Sequence, residues 1–358
     1  MKLWTTRMAG VGLAGIIAAF TSSYSVAAKP SDMSFTHGEW NINCDNTLTC
    51  RAAGDSEYSL NAENQNIVEV ILTRAAGPST PVTNRVVLSD SGDTDPQKPA
   101  VPELLINQQS QGKLQATEQG TWQMDNAQFT AFMQALQHSA RIIFRDNLGQ
   151  YPLSSSGSSA VLLRMDDIQG RIDTPGALIK KGNRDETSVK APLPVPEIKA
   201  AKVIDAAMRP MTDPEQKAFA GSLKQIVKQD ADNQEESCAD DLATQRWSIA
   251  RLDASHSLVS ATCWSGAYNE GRLWYVLNPE LNQILQRVTY DSVDYDSGVI
   301  SGSFLGNSMG ITLSSYQQVW DGQRFVDSEN FYRGLCALHN DIQACEMPLI
   351  VSKVIPAK

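Results

Sequence analysis

Six cysteines, Cys44, Cys50, Cys238, Cys263, Cys336 and Cys345, constrain this 358-residue chain more than any other feature. What they can do depends on where the chain goes. Lys2 and Arg7 form a short basic segment, Met8 to Phe20 is an uncharged apolar run, and Val26-Ala27-Ala28 places small residues where a leader is cut. That layout predicts a secretory signal peptide over 1–28, too short for a spanning helix, with the mature chain starting near Lys29. No cysteine follows the apolar run closely enough for a lipid anchor, and no later apolar stretch reaches about 18 residues, so no membrane insertion is expected. The expected location is the periplasm, with secretion as the alternative. In an oxidising compartment an even number of cysteines implies disulfides, although six allow 15 full pairings.

Local geometry narrows the pairing. Trp40–Asp45 and Thr47–Arg51 read as two short strands joined through Asp45-Asn46, and facing positions on such a hairpin suit a disulfide between Cys44 and Cys50. Cys336 and Cys345 flank His339, which raises a metal reading, but a structural zinc site needs four ligands and no second cluster supplies the fourth. Disulfide pairing is therefore expected there too, leaving Cys238 with Cys263. Each crosslink contributes roughly 2–3.5 kcal/mol in the chain-entropy model. A redox role would need Cys-x-x-Cys at a helix start, which is absent.

The formal charge is −10, and it becomes −12 in the mature chain because Lys2 and Arg7 leave with the leader and no carboxylate does. So acidic a surface disfavours nucleic acid and anionic lipid. The length and the 42% hydrophobic content fit about two domains. In the first, β-branched runs (NIVEVILTRAAG, VTNRVVLSD, ARIIFRD) predict strands. DNAQFTAFMQALQHS predicts a helix with Asp125 as N-cap, Gln128 completing a capping box, and Phe129, Phe132, Met133 and Leu136 on one face. SSSGSSAVLLRMDDIQGR predicts a second, burying Val161, Leu162, Met165 and Ile168 and ending at Gly170 before Pro175. A Pro-rich stretch over 186–212 reads as an extended linker. A helix capped by Asp213, with Pro214 in its first turn, buries Phe219, Leu223 and Ile226. Antiparallel strands follow, with Asp321-Gly322 as a hairpin signal. The expected fold class is α+β and β-rich: domains 29–185 and 213–358, each an antiparallel sheet with one or two covering helices.

Four stretches, GEWNINCDNTLTCRAAG, VILTRAAGP, LLRMDDIQGR and CWSGAYNE, together resemble a family of exported bacterial proteins known only as domain of unknown function 1176. The Trp-then-Cys opening is more distantly similar to the invasion-associated locus B proteins, which implies a β-rich first domain. The resemblance spans nearly all of the mature chain and implies an envelope location, chiefly in Gram-negative bacteria. It brings no activity and no catalytic residue. One departure is visible: this chain has Gly54-Asp55 where the family pattern has Gly-Tyr.

Chemistry is hard to place. Asp166 and Asp167 diverge by about 100° on a helix and cannot share a proton, while Asp167 reaches Arg171 at i+4 or Arg164 at i−3. As a ligand site, Arg164, Asp166, Asp167, Gln169 and Arg171 would face a groove; as a structural feature they form an ion-pair row. Trp264, Tyr268 and Asn269 sit beside Cys263 on a Gly-containing turn, able to stack on a sugar or to pack under a loop. Ser110-Gln-Gly-Lys113 is interrupted by glycine and no nucleophile elbow exists. His37, His138, His256 and His339 are scattered. The acidic stretches from Asp230 to Asp241 and from Asp294 to Gly298 lack a full calcium loop. With no catalytic residue, metal or cofactor indicated, the sequence favours a non-enzymatic binding protein that holds an envelope protein or glycan between its domains. The alternative is an envelope-polymer hydrolase using Asp166 with a distant His or Ser.

Overall fold

The computed structural model describes residues 33–56, 66–89, 100–118, 120–138, 140–232, 238, 241–306, 312–334 and 345–357. The expected leader, Cys336 and His339 lie outside the described residues. Among the described residues the chain is β-rich, with three α-helices and five sheets, the α+β class expected from its patterning.

Strands β1 (Ser34–His37), β2 (Trp40–Cys44), β3 (Cys50–Asp55), β4 (Ile67–Arg74) and β5 (Thr83–Ser89) run as an antiparallel meander. A second hairpin, β6 (Glu103–Ile106) and β7 (Gln109–Lys113), joins another sheet. β8 (Gln115–Ala116) and β9 (Trp122–Gln123) then return to complete seven strands in the first. Cys44 and Cys50 face each other at the end of β2 and β3 and are bonded. The turn between them is longer than expected, so β3 begins at Cys50 rather than at Thr47. Asp45 organises it, because Oδ1 accepts from the backbone N–H of Thr47 (2.9 Å) and Thr49 (3.2 Å).

Side-chain alternation divides this sheet into two faces. Trp40, Ile42, Ala52, Val68, Val70 and Leu72 point into one core with Val86. Gly54 lies directly across from Trp40, and a Cβ there would fall 2.2 Å from the indole Cε2, so the ring occupies the space that any side chain would need. Helix α1 (Asn126–Gln137) packs beside β6 and β7 and adds to the same core, its N-terminus closed by the expected Asp125–Gln128 capping box. Phe132 and Leu136 are buried, with Phe129 and Met133 packed at the margin. β10 (Ile142–Arg145) and β11 (Gln150–Leu153) complete the four-stranded sheet with β6 and β7. Helix α2 (Ser158–Ile168) buries Val161, Leu162, Met165 and Ile168 in the same core, as its periodicity predicts.

The segment 186–212 is less of a free linker than its prolines suggest. Lys190 N donates to Gln169 O and Leu193 N to Thr47 O, tying its start to the first half. Farther on, β12 (Glu197–Lys199) and β13 (Arg209–Pro210) are strands of the second half. Helix α3 (Asp213–Asp232) starts one residue earlier than a cap at Asp213 would have it. Thr212 is the capping residue, exchanging bonds with Glu215 in a capping-box pattern, and Asp213 lies inside the helix. Phe219 and Ile226 are buried and Leu223 packs at the margin, with Phe219 against Trp247 at 5.0 Å.

β14 (Ser248–Arg251), β15 (Ser257–Ser265), β16 (Glu270–Leu277) and β17 (Ile284–Ser292) extend β13 into a five-stranded sheet under α3. The Cys238–Cys263 disulfide pins the segment after α3 to β15. β18 (Asp294–Asp296), β19 (Val299–Leu305), β20 (Leu313–Trp320), β21 (Phe325–Arg333) and β22 (Glu346–Ile350) form a second five-stranded sheet. Trp274, Val276, Ile300, Trp320 and Phe325 join the two sheets in one core. Asp321-Gly322 lies in the loop between β20 and β21, where Asp321 Oδ1 accepts from Gln323 N and Arg324 N. β23 (Lys353–Ile355) closes the chain by pairing in parallel with β12.

β22 decides the shape of the candidate site. It lies on the face of the first sheet that the helices leave uncovered, where Cys345 and Met347 contact Ala53, Ile71 and Val87. Asn43 Nδ2 donates to Met347 O at 3.2 Å, and Asn46 exchanges two hydrogen bonds with Val351. Cys345 is disulfide-bonded. β4 accordingly buries residues on both faces, which is why NIVEVILTR reads as a nearly continuous apolar run.

A candidate functional site

Helix α2 and the turn that follows it carry five of the eight residues that the sequence nominates for binding, and the structure turns three of them, Asp166, Gln169 and Arg171, inward. Asp166 is fully buried, and its Oδ2 accepts from the N–H groups of Leu178 (2.7 Å) and Ile179 (3.1 Å). Gln169 donates to Leu48 O and Arg74 O and accepts from Arg171 Nε. Arg171 Nη2 donates to Gly77 O and Thr80 Oγ1, both at 2.6 Å. Arg74 lies 3.8 Å from Asp166. Burial, with Arg171 alongside, pulls the Arg74 guanidinium down to about 10, and burial lifts the Asp166 carboxyl above the usual range. These groups rivet α2 to the turn after β4 and to the loop at 174–179. They do not line an open groove, because the backbone groups of that loop would otherwise be buried unpaired. Asp167 and Arg164 stay at the surface as an ion pair at 2.6 Å, so the partner of Asp167 is Arg164 and not Arg171.

The second nominated group belongs to the other half. Trp264 stacks on Phe304 at 5.5 Å, and Asn269 bonds Leu305 through both its N–H and C=O, each at 2.9 Å. These contacts fasten the β15–β16 turn to the end of β19, and Tyr268 alone of the three is well exposed. Ser110 is hydrogen-bonded to Glu103 and His256 to Asp253 (2.9 Å), and neither faces a partner suited to nucleophilic catalysis among the described residues. His138 caps the C-terminus of α1.

The polar site that the structure assembles lies elsewhere, on the face of the first sheet crossed by β22. On one side of β22 is a cleft of about 590 Å³ bordered by Arg51, Arg85 and Glu346. On the other is a cleft of about 520 Å³ between β1–β3 and the strands β20–β22. Thr36, Asn41 and Asn43 form one wall of this second cleft, Ser314, Tyr332 and Leu349 the other, and Glu39 and Asp55 give it its charge. Among the described residues, no Lys, Arg or His lines it.

At its floor, Asp55 on β3 stands directly opposite Glu69 on β4 in the antiparallel register. Such facing positions hold their Cβ atoms about 4.5–5.5 Å apart, and like charges there repel. Glu69 is only 1% exposed. Asp55 Oδ1 is closed to solvent and accepts no hydrogen bond among the described residues. Burial first, then the neighbouring Glu69 and Glu39, push the Asp55 carboxyl well above the usual carboxylate range. Burial, then Asp55 and Glu69, raise the Tyr332 phenol as well. The arrangement can hold a proton on the carboxylate pair and take up positive charge in its place.

Sequence reasoning missed this pair because its members are 14 positions apart and share a face only through the β3–β4 register. Two signals were available. Glu69 is a lone charge within an apolar strand run, and Asp55 is the position at which the chain departs from the Gly-Tyr pattern.

Over 264 residues the chain is 26% identical to the uncharacterized protein YpfG of Escherichia coli strain K12, covering 71% of this chain and 69% of that protein. No solved structure matches it. Residues 34–346, from β1 to the first residue of β22, match the family described as protein of unknown function DUF1176, and the chain belongs to that family.

Proposed function

We propose that this protein is exported to the periplasm and acts there as a non-enzymatic binding protein, receiving an envelope component in the cleft between the first sheet and strands β20–β22. Disulfides in both halves support an oxidising location. No helix among the described residues is long and apolar enough to cross a membrane. In this reading 29–185 and 213–358 are the two domains and 186–212 joins them.

The observation that carries the proposal is Asp55, which faces the buried Glu69 across the β3–β4 register and lines a concave, polar cleft with no Lys, Arg or His on its walls among the described residues. Maintaining two facing carboxylates at the edge of a core costs stability, and functional sites are where such costs concentrate. Binding fits better than hydrolysis. A catalytic acid must reach the bond that it protonates, whereas Glu69 and Asp55 Oδ1 are sealed from solvent.

Ser314 is exposed on the cleft wall, so Ser314→Trp fills the cleft without touching a core. Immobilised native protein and this variant, both oxidised, are exposed to the same envelope extract. Material retained by the native protein and lost from the variant supports the proposal. Equal retention by both, or none by either, refutes it.

A further inference from the structure

Helix α1 and the loop over 175–181 enclose a groove of about 620 Å³ that differs from the clefts beside β22 in polarity and in charge. We infer that it binds a free fatty acid, one acyl chain lying in the groove with its carboxylate at Lys181. This site is separate from the cleft at Asp55 and does not rest on it.

The floor of the groove is apolar. Phe129 and Met133 from α1 line it together with Leu178 and Ile179 from the loop, all four half-buried at the margin of the first core. Gathered in one concavity, they are more than the single exposed apolar residues that any surface carries. Asp166 shapes the loop wall. Its buried carboxylate accepts from Leu178 N (2.7 Å) and Ile179 N (3.1 Å) and so holds the polar backbone of that wall inward. From the other side Gln137 Nε2 donates to Leu178 O (3.4 Å), which ties the helix to the loop. Both walls are thus fixed before a ligand arrives, as small-molecule sites usually are.

Volume sets the class of occupant. Small-molecule sites span about 300–1,000 Å³, and this groove lies within that range. A docked helix is too bulky. One helical turn with its side chains fills roughly 500 Å³, and recognition through i, i+4 and i+7 anchors needs two turns. A flexible, unbranched chain fits, and Met133 can adjust its rotamer to it.

Charge selects the head group. Among the described residues Lys181 is the one charged residue lining the groove, and no carboxylate lines it. Its neighbour Lys180 is held by Asp173 at 3.2 Å, whereas Lys181 forms no ion pair among the described residues. On a chain of net charge −10, a groove whose sole charge is positive favours an anionic amphiphile over a cationic or neutral one.

The test is fluorescence titration of the full oxidised protein with cis-parinaric acid, whose emission rises in apolar surroundings, followed by displacement. The competitors are laurate, 1-dodecanol and lauroyl lysophosphatidylglycerol. Parinarate is expected to bind at a single site and laurate to displace it. Dodecanol, the same chain without the charge, should compete at least about tenfold less well. Met133→Trp fills the groove and should weaken laurate by a similar factor. Lys181→Gln, at an exposed position outside the core, should weaken laurate about tenfold and leave dodecanol unchanged, a split that misfolding does not produce. Asp167→Asn, an exposed carboxylate on α2, should change neither. The inference is overturned by an unchanged parinarate emission, by equal competition from laurate and dodecanol, or by tighter binding of the lysolipid. Native affinity in either Met133→Trp or Lys181→Gln overturns it too, as does self-association of the native protein that Met133→Trp abolishes.

Discussion

Asp166 and Asp167 are neighbours in sequence and opposites in structure, and the contrast can be measured. Replacing Asp166 with Ala removes the acceptor of two buried N–H groups, those of Leu178 and Ile179. It also leaves Arg74 and Arg171 side by side without their shared carboxylate. Breaking one partner of a buried pair costs about 3–5 kcal/mol. Each orphaned buried donor costs a further ~1–3 kcal/mol if nothing moves to satisfy it. Because the 174–179 loop can relax towards solvent, these terms do not add in full, and a loss of about 4 kcal/mol is expected. Asp167→Ala removes a surface ion pair whose carboxylate is 51% exposed, worth at most about 0.5 kcal/mol. Urea unfolding of the oxidised variants, followed by tryptophan fluorescence and far-UV circular dichroism, gives both values. If Asp166→Ala lies within about 1 kcal/mol of the native protein, or the two variants lose equally, the rivet reasoning is wrong.

Gly54→Ala should cost at least about 2 kcal/mol, because its methyl group meets the ring of Trp40, and thermal unfolding will show it. In the chain-entropy model, losing Cys44–Cys50, with its separation of 6, costs about 2 kcal/mol and losing Cys238–Cys263, separation 25, about 3.5 kcal/mol, measurable with paired Ser variants. Asp55 has a raised pKa in the folded state, so the folded chain binds more protons there than the unfolded one. Its penalty is absent below the ordinary carboxyl pKa and grows as pH rises through the folded value. Asp55→Asn should therefore gain on the native protein between about pH 4 and pH 8 by ~1 kcal/mol or more, and parallel stability curves would contradict this. Glu215 is the reverse: Arg209 first, with help from Thr212, holds its carboxyl near about 2. Its contribution is present above the ordinary glutamate pKa and is lost as pH falls through that value. Discounted for its exposure, Glu215→Gln should cost about 1 kcal/mol at neutral pH and nothing near about pH 2.

The residues alone determined those features whose physics is local. A capping box needs only the spacing of Asp125 and Gln128, and a helix face needs only the period that brings Val161, Leu162, Met165 and Ile168 together. The Cys44–Cys50 staple follows from two strands and a short turn, and the β-rich class from strand periodicity and punctuation. Tertiary structure decided the rest. Helical geometry separates Asp166 from Asp167, but only the packing of α2 beneath the 174–179 loop determines which of them is dry. Alternation states that Asp55 and Glu69 share a face with Ala53 and Ile71, yet that face is buried only because β22 returns to lie on it from nearly 300 residues away. The carboxylate pair and its cleft thus depend on a long-range contact. Sequence periodicity carries the direction in which a side chain points and not what will meet it there.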